Sequence, residues 1–282
     1  MTGFSYDQGL GAILKGYAPA IDSCLVSVLS AIGYSAGAIG DHLRMADGSS
    51  LAGTANSFGD KQLDVDLKAD AVIFEEFKRC GAVAVGASEE TPEETDMGGT
   101  APRCYSVAFD PLDGSSIIDA NFAVGSIFGV WPGKGLNNRL GREQVASCMS
   151  NYGPRTTMAL ALSGEVTGGD PVAFEVTFQS ETRKWTVSRE KFCIAPAGKV
   201  FAPGNLRATS DQPQYKNLFD YWVDNRYTLR YTGGMVPDVY HILIKGKGIF
   251  SNVASRSAQA KLRLLYECAP IALIIEAAGG AT

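Results

Sequence analysis

Long apolar runs, closely spaced cysteines, a supply of histidines and an excess of positive charge are all missing from this chain of 282 residues. No stretch of about 18 apolar residues occurs, so a membrane-spanning helix is not expected. The opening residues, Met1-Thr2-Gly3-Phe4-Ser5-Tyr6-Asp7, lack the basic and then apolar layout of a secretory leader. A soluble, intracellular protein is the expectation, with the cytoplasm as its compartment and a plastid as the alternative. The cysteines, at positions 24, 80, 104, 148, 193 and 268, form no Cys-x-x-Cys and stand apart from any paired histidines. That spacing speaks against zinc and against a disulfide framework, and for reduced thiols. With only His42 and His241, histidine-based catalysis is poorly supplied, and both are assigned to packing or surface. A formal net charge of −5 gives no footing to nucleic acid or an anionic membrane. Any phosphate ligand must be held by local cations or metals. Internal repeats and low-complexity tracts are also lacking.

What is present suits a folded core: 45% hydrophobic and 20% charged residues are ordinary for a globular protein. The length allows one large or two packed domains. The sharpest local signal is Phe109-Asp110-Pro111-Leu112-Asp113-Gly114-Ser115-Ser116, two acids three residues apart running into a small-residue turn. Upstream, Tyr105-Ser106-Val107-Ala108-Phe109 alternates like a strand, which Pro111 should stop. Gly-Ser-Ser offers successive amides and two hydroxyls, suited to phosphate if a helix begins there. Asp110 and Asp113 beside it suit a hard cation such as magnesium, which combines carboxylates with phosphate oxygens. Asp, Gly and Ser are equally the residues of a plain polar turn.

The apolar spacing over residues 21–43 predicts a long helix led in by Pro19 and Asp22 and bent near Gly33 and Gly37. Residues 51–59 read as a loop, and 64–80 as a second helix with Asp60, Asp64, Asp66 and Asp70 at or before its first turns. Ala82-Val83-Ala84-Val85 is a short strand running to Glu89 and Glu90, so two strand ends bear acids and suggest one shared site. Further strands are predicted at 122–131, 156–162, 172–179 and 184–188, and helices at 215–225, 236–244 and 270–278. A domain boundary falls within 193–204, dividing 1–195 from 196–282. Asp60, Asp66, Glu89, Glu90, Asp110, Asp113 and Glu267 cannot share a cleft without counter-charge, which two or three Mg²⁺ would supply. Arg226-Tyr227, Arg230-Tyr231 and Lys261-Leu262-Arg263 place cations that would hold a second anionic group or simply form a solvated face.

Taken in order, Leu63-Asp64-Val65-Asp66, Ser88-Glu89-Glu90, the string from Phe109 to Ser116, Arg230-Tyr231-Thr232-Gly233-Gly234-Met235 and Lys261-Leu262-Arg263-Leu264-Leu265-Tyr266-Glu267 resemble the fructose-1,6-bisphosphatase superfamily. The resemblance runs from about Ile21 to the last residue. It implies an α/β fold of alternating helix and sheet layers, with an N-terminal metal-bearing half and a C-terminal sugar-phosphate half. It implies a phosphatase that removes the 1-phosphate of a sugar bisphosphate, as a homodimer or homotetramer, with Mg²⁺ as cofactor and Mn²⁺ as substitute. By the same resemblance Asp60, Glu89, Glu90, Asp110, the Leu112 carbonyl, Asp113 and Glu267 surround the metals, and Asp66 with Glu90 activate the water. Asp113, Gly114, Ser115 and Ser116 hold the departing phosphate. Asn205, Tyr231, Gly233, Met235 and Lys261 hold the sugar and its distal phosphate, with Arg230 reaching in from a neighbouring subunit.

Two departures bear on the substrate. The tyrosine that fructose-specific members carry after the Gly-Ile-Phe strand is replaced, since Gly248-Ile249-Phe250 is followed by Ser251-Asn252. A second tyrosine, three residues beyond Asn205, is replaced by Ala208, and Arg207 stands between them. A roomier pocket follows, favouring a seven-carbon over a six-carbon bisphosphate, with Arg207 on the distal phosphate. An inositol-phosphate phosphatase and a metal-binding module without turnover are the rival readings. Cys104-Tyr105 and Pro132 replace residues that AMP-sensitive members use, and Asp47-Gly48-Ser49-Ser50-Leu51 lacks the paired cysteines of plastid members. Weak response to AMP and indifference to dithiol reductants are expected.

Overall fold

Alternation of large and small side chains along successive strands builds an eight-stranded sheet with two different faces. The computed structural model describes residues 8–46, 51–55 and 61–282, with side chains over 8–46 and 64–282. Helices α1 (Leu10–Tyr17) and α2 (Ser23–Met45) lead into a two-stranded antiparallel ribbon, β1 (Leu51–Ala55) and β2 (Lys61–Leu63), and then α3 (Asp64–Cys80). The sheet itself is made from β3 (Val83–Ser88), β4 (Thr95–Asp96), β5 (Tyr105–Asp113), β6 (Val124–Pro132), β7 (Ala146–Tyr152), β8 (Thr156–Leu162), β9 (Val172–Gln179) and β10 (Lys184–Arg189), with the short α4 (Gly164–Thr167) between β8 and β9. Its order is β10-β9-β8-β7-β6-β5-β3-β4, and only the β3–β5 pair is parallel. The C-terminal part adds β11 (Val200–Gly204), α5 (Pro213–Asp224), β12 (Thr228–Leu229), α6 (Met235–Lys245), β13 (Ile249–Asn252) and α7 (Ala269–Ala277). There β12, β11 and β13 form a parallel sheet in that order.

Met158, Leu160 and Leu162 of β8, with Phe174, Val176 and Phe178 of β9, pack on α1, α2 and α3. The intervening Ala159, Ala161 and Ala173 face α6 and α7, their small side chains letting Ile271, Ile274 and Val239 approach the sheet. Phe201 of β11 packs on Trp222 and Tyr215 of α5 beyond. The layers therefore run helix, sheet, helix, sheet, helix, the alternation that the sequence implied. Burying each large side chain contributes about 1.5–3 kcal/mol.

Asp22 caps α2, accepting from the Cys24 and Leu25 amides at 2.7 and 3.2 Å. This helix is long and apolar enough to cross a membrane by length and composition, yet 67% of its most apolar window is buried against the rest of the fold. It continues unbroken past Gly33 and Gly37, where the sequence suggested a bend. Those glycines serve close approach instead: a Cβ at Gly37 would lie 2.9 Å from the Phe178 ring. Residues 51–55 are strand rather than the loop read from their Gly and Thr content, because they pair with 61–63. Asp60 and residues 56–59 lie outside the described residues, as do 47–50. The sequence reading also missed α1, β2, β4, β7 and β11, ended β3 and β5 three and four residues early, and placed β6, β8, β9 and β10 within two residues.

Candidate active site

Pro111 does not stop β5. The strand continues to Asp113, and the ladder adapts: Asp110 pairs with Ile127 and Asp113 with Gly125, so three steps on β5 oppose two on β6. A residue without an N–H is accommodated by this bulge. In a regular strand residues three apart point to opposite faces. The extra residue restores them to one side, and Asp110 and Asp113 line the same cavity. The turn is pinned from both directions. The Leu112 amide donates to Asp110 Oδ1 at 2.9 Å, and buried Ser126 donates to the Pro111 carbonyl at 2.6 Å while sharing a 2.8 Å hydrogen bond with Tyr152.

Gly114 follows with φ of 93°, where any side chain would be strained. Ser115–Ile117 then forms a single 3₁₀ turn. The helix expected to start behind the phosphate turn is thus one short turn, and Ser115 and Ser116 reach the cavity through it.

The cavity encloses about 740 Å³. Its acidic wall joins Asp110 to Glu89 and Glu90 just beyond β3, and to Glu267 in the wide turn Leu264–Cys268. One carboxylate oxygen each from Glu89, Asp110 and Glu267 lies within 4.8 Å of the others. Burial pushes Asp110 well above the usual carboxylate range, reinforced by Glu89, Asp113 and Glu267. Burial also raises Glu267 to about 8, with Glu89 and Asp113 adding to it against the Arg263 amide. Like charges held this close resist ionising together, and a hard divalent cation relieves them. The donor set, all carboxylate oxygen, suits a hard divalent cation. Arg263 spans the cluster, with its guanidinium 3.0 Å from Glu89 and its amide on the Glu267 carboxylate.

Asp113 is differently engaged. Its two oxygens accept from the Met235 and Val236 amides at 3.2 and 2.6 Å, so it caps α6 and ties the N-terminal sheet to the C-terminal half. Its carboxyl is raised to about 6 by burial, against the two amides, which favour the charge. The C-terminal part contributes Asn205, Arg207, Tyr231, Gly233 and Lys261 to the same lining. The Asn205 side-chain amide donates to the Val253 and Ala258 carbonyls at 2.7 and 2.9 Å, bridging the loops behind it. Asp238 fixes the 231–234 segment by accepting from the Thr232 and Gly233 amides at 2.7 and 3.2 Å.

Three site residues named from sequence are placed elsewhere among the described residues. Asp66 is buried in the first turn of α3, Met235 packs in the core under α6 and meets the site through its amide, and Arg230 is exposed, with a guanidinium nitrogen on the Leu229 carbonyl at 2.7 Å. Asp119, Asn252, Gln259 and Arg263 line the cavity without having been named as site residues. Arg263 was legible only as a cation for a distant anion; its guanidinium meets Glu89, far away in sequence, and Glu267 is held by its backbone amide, so no local spacing signalled the pairing. Asn252 and Gln259 arrive on loops that carry no local pattern. A separate cavity of about 470 Å³ contains Cys104, Tyr105 and Pro132.

Behind the acidic wall Asp70 is buried on α3, accepting from the Thr91 hydroxyl at 3.1 Å, and is raised to about 6 by burial, with Glu90 adding to it. A carboxyl raised on folding leaves stability intact below its unfolded value near 3.8 and erodes it as pH climbs through 6. Asp70→Asn should therefore raise the melting temperature at pH 7.5, by the equivalent of about 1–3 kcal/mol, and leave it unchanged at pH 4. Melting curves at the two pH values check this, and an equal change at both would remove the charge from the explanation.

The sequence model described as Fructose-1-6-bisphosphatase, N-terminal domain, matches residues 15–175, and that described as its C-terminal domain matches 194–282. The chain is 50% identical over 261 residues to the chloroplastic sedoheptulose-1,7-bisphosphatase of Triticum aestivum, covering 92% of this chain and 64% of that one. It is 39% identical over 232 residues to the class 1 fructose-1,6-bisphosphatase of Trichlorobacter lovleyi, covering 82% of this chain and 70% of the other. A Toxoplasma gondii protein, solved at 1.85 Å under the name of a sedoheptulose-1,7 bisphosphatase, superposes with a TM-score of 0.86 at 38% identity, covering 96% of this chain and 86% of that one. The chain spans less than two thirds of the length of the plant and algal relatives it matches.

Proposed function

Because this chain belongs to the fructose-1,6-bisphosphatase family, we propose that it hydrolyses the 1-phosphate of sedoheptulose 1,7-bisphosphate, giving sedoheptulose 7-phosphate and inorganic phosphate. The observation that carries this reading is one cavity lined by the buried carboxylates Asp110, Asp113 and Glu267, by the Gly114-Ser115-Ser116 turn and by Arg207, Tyr231 and Lys261. A substrate with two anionic ends fits a lining that combines metal-suited acids, a turn of amides and hydroxyls, and further cations. Residues 1–195 would supply the hydrolytic half and 196–282 the half that grips the sugar and its second phosphate.

Glu89, Asp110 and Glu267, joined by Glu90, Asp113, the Leu112 carbonyl and Asp60, would hold two or three Mg²⁺, or Mn²⁺ in their place, and cations so held neutralise phosphate charge and make water acidic. Glu90, on the cavity lining, would orient the attacking water and take its proton, and Asp66 would assist it only if the first turn of α3, where it is buried, brings its carboxylate to the cavity once substrate is bound. The Gly114 amide and the Ser115 and Ser116 hydroxyls would hold the phosphate through attack and release. Asn205, Gly233, Met235 and Lys261 would shape the sugar pocket around Tyr231. Arg230, exposed as it is, would act on a neighbouring copy in a homodimer or homotetramer. The wheat and algal relatives are chloroplastic by name, which favours a plastid over the cytoplasm as the compartment.

The test is phosphate release from the bisphosphate with Mg²⁺ and with chelator. Release that chelator abolishes supports the reading, and metal binding without release would indicate the inactive module. Fructose 1,6-bisphosphate is the second reading, favoured by the identity to the Trichlorobacter lovleyi enzyme. Arg207→Ala distinguishes pocket roles: losing a charge-assisted bond of about 1.5–3 kcal/mol should raise KM for the seven-carbon substrate roughly tenfold or more with kcat little changed. Unchanged KM would take Arg207 out of the site.

A further inference from the structure

On the flank of the main sheet remote from β3, the ends of β8, β9 and β10 and the last turn of α2 enclose a cavity of about 480 Å³. It shares no lining residue with the candidate active site. Among the described residues its charged lining residues are Arg44 and Arg155, and none is an acid. Arg44 is held in place by its own bonds, donating to Thr156 Oγ1 at 2.9 Å and to Asp41 Oδ1 at 2.7 Å, with Ser180 Oγ at 3.5 Å. Asp41 also pairs with Arg183, so one carboxylate serves two guanidiniums. Arg155 is exposed and has no ion-pair partner among the described residues, where Arg44, Arg155 and Arg183 stand against Asp41 and Glu175, an excess of one positive charge on a chain whose net charge is −5. Thr177, also on the lining, is only 6% exposed, and its hydroxyl has no hydrogen-bond partner among the described residues. Buried hydroxyls are ordinarily satisfied, and an exception calls for a ligand or water.

The bonded Arg44 guanidinium, the exposed Arg155 guanidinium and neighbouring hydroxyls offer a phosphoryl group, which needs several donors from different directions, the types of donor it takes. We propose that this cavity is a second anion site that takes the phosphoryl group of a small molecule. The volume admits a small phosphorylated metabolite as well as the bare ion. The site is also tied to the C-terminal half: Ser188, on its lining, donates to Glu175 at 2.8 Å, and the other Glu175 oxygen accepts from Tyr240 of α6 at 2.9 Å.

The test is a titration of the full chain, without metal, followed by backbone amide chemical shifts, with inorganic phosphate in one arm and fructose 6-phosphate in the other. Saturable shifts at Arg155, Thr156 and Ser180 are expected, and the arm that saturates at lower concentration identifies the source of the phosphoryl group. Arg155→Ala should weaken this binding about tenfold while leaving shifts at Gly114 to Ser116 and the rate of phosphate release unchanged, and Arg155→Lys should restore part of it. No saturable shift in either arm, or shifts that Arg155→Ala leaves intact, would overturn the proposal.

Discussion

Asp110→Asn should lower kcat by about a thousandfold or more and leave the protein without metal at least as stable as the parent. The first effect follows because a carboxylate central to the trio with Glu89 and Glu267 is lost from the charge that would hold the metal ions. Several kcal/mol of transition-state stabilisation depend on such ions, and about 4 kcal/mol is a thousandfold in rate. The second effect follows from burial. Asp110 is 5% exposed and surrounded by acids that resist its ionisation, so an uncharged isostere removes repulsion from the empty cluster. Its Oδ1 would still accept from the Leu112 amide, which preserves the turn. Near-normal turnover would remove Asp110 from the catalytic centre. A large loss of stability without metal would make its role structural.

Asp113→Ala should act on the fold first. Both carboxylate oxygens accept amides at the N-terminus of α6, so truncation leaves the Met235 and Val236 amides buried and unmet. Each such group costs about 1–3 kcal/mol, and losing a cap costs about 0.5–2 kcal/mol. A loss of about 3 kcal/mol at neutral pH is expected, read as a lower denaturation midpoint with the slope unchanged. Asp113→Asn should recover part of this, since one oxygen still accepts. Because α6 carries the 231–235 segment beside the substrate wall, KM should rise in both variants. Stability equal to the parent in Asp113→Ala would show that the cap is not used.

The sequence spoke most clearly where one side chain decided the backbone. Tyr105, Val107 and Phe109 alternate on β5 because one face of that strand meets α3, and Asp22 announced the start of α2 as its cap. The acids at the ends of β3 and β5 were legible for the same reason: a charge in an otherwise apolar strand has to be at its end or in a site. What stayed hidden was decided by tertiary structure. Strand β7 contains Ser147 and Ser150, polar enough to pass for a loop, yet both are fully buried, and Ser147 donates to the Phe128 and Pro270 carbonyls at 3.0 and 2.6 Å. Strand β11 has Pro and Gly in five residues and exists because β12 and β13 pair with it. The bulge at Pro111 depends on β6, which no local pattern reveals. Likewise the partnership of Asp113 with α6 joins residues more than a hundred positions apart.

The most direct measurement is kcat/KM for sedoheptulose 1,7-bisphosphate and fructose 1,6-bisphosphate, side by side in Mg²⁺, with the position of the released phosphate identified. A higher kcat/KM for the seven-carbon substrate, with release from carbon 1 and loss of release in chelator, is the predicted result. A higher value for the six-carbon substrate would contradict the substrate assignment, and no release from either would contradict the proposed chemistry itself.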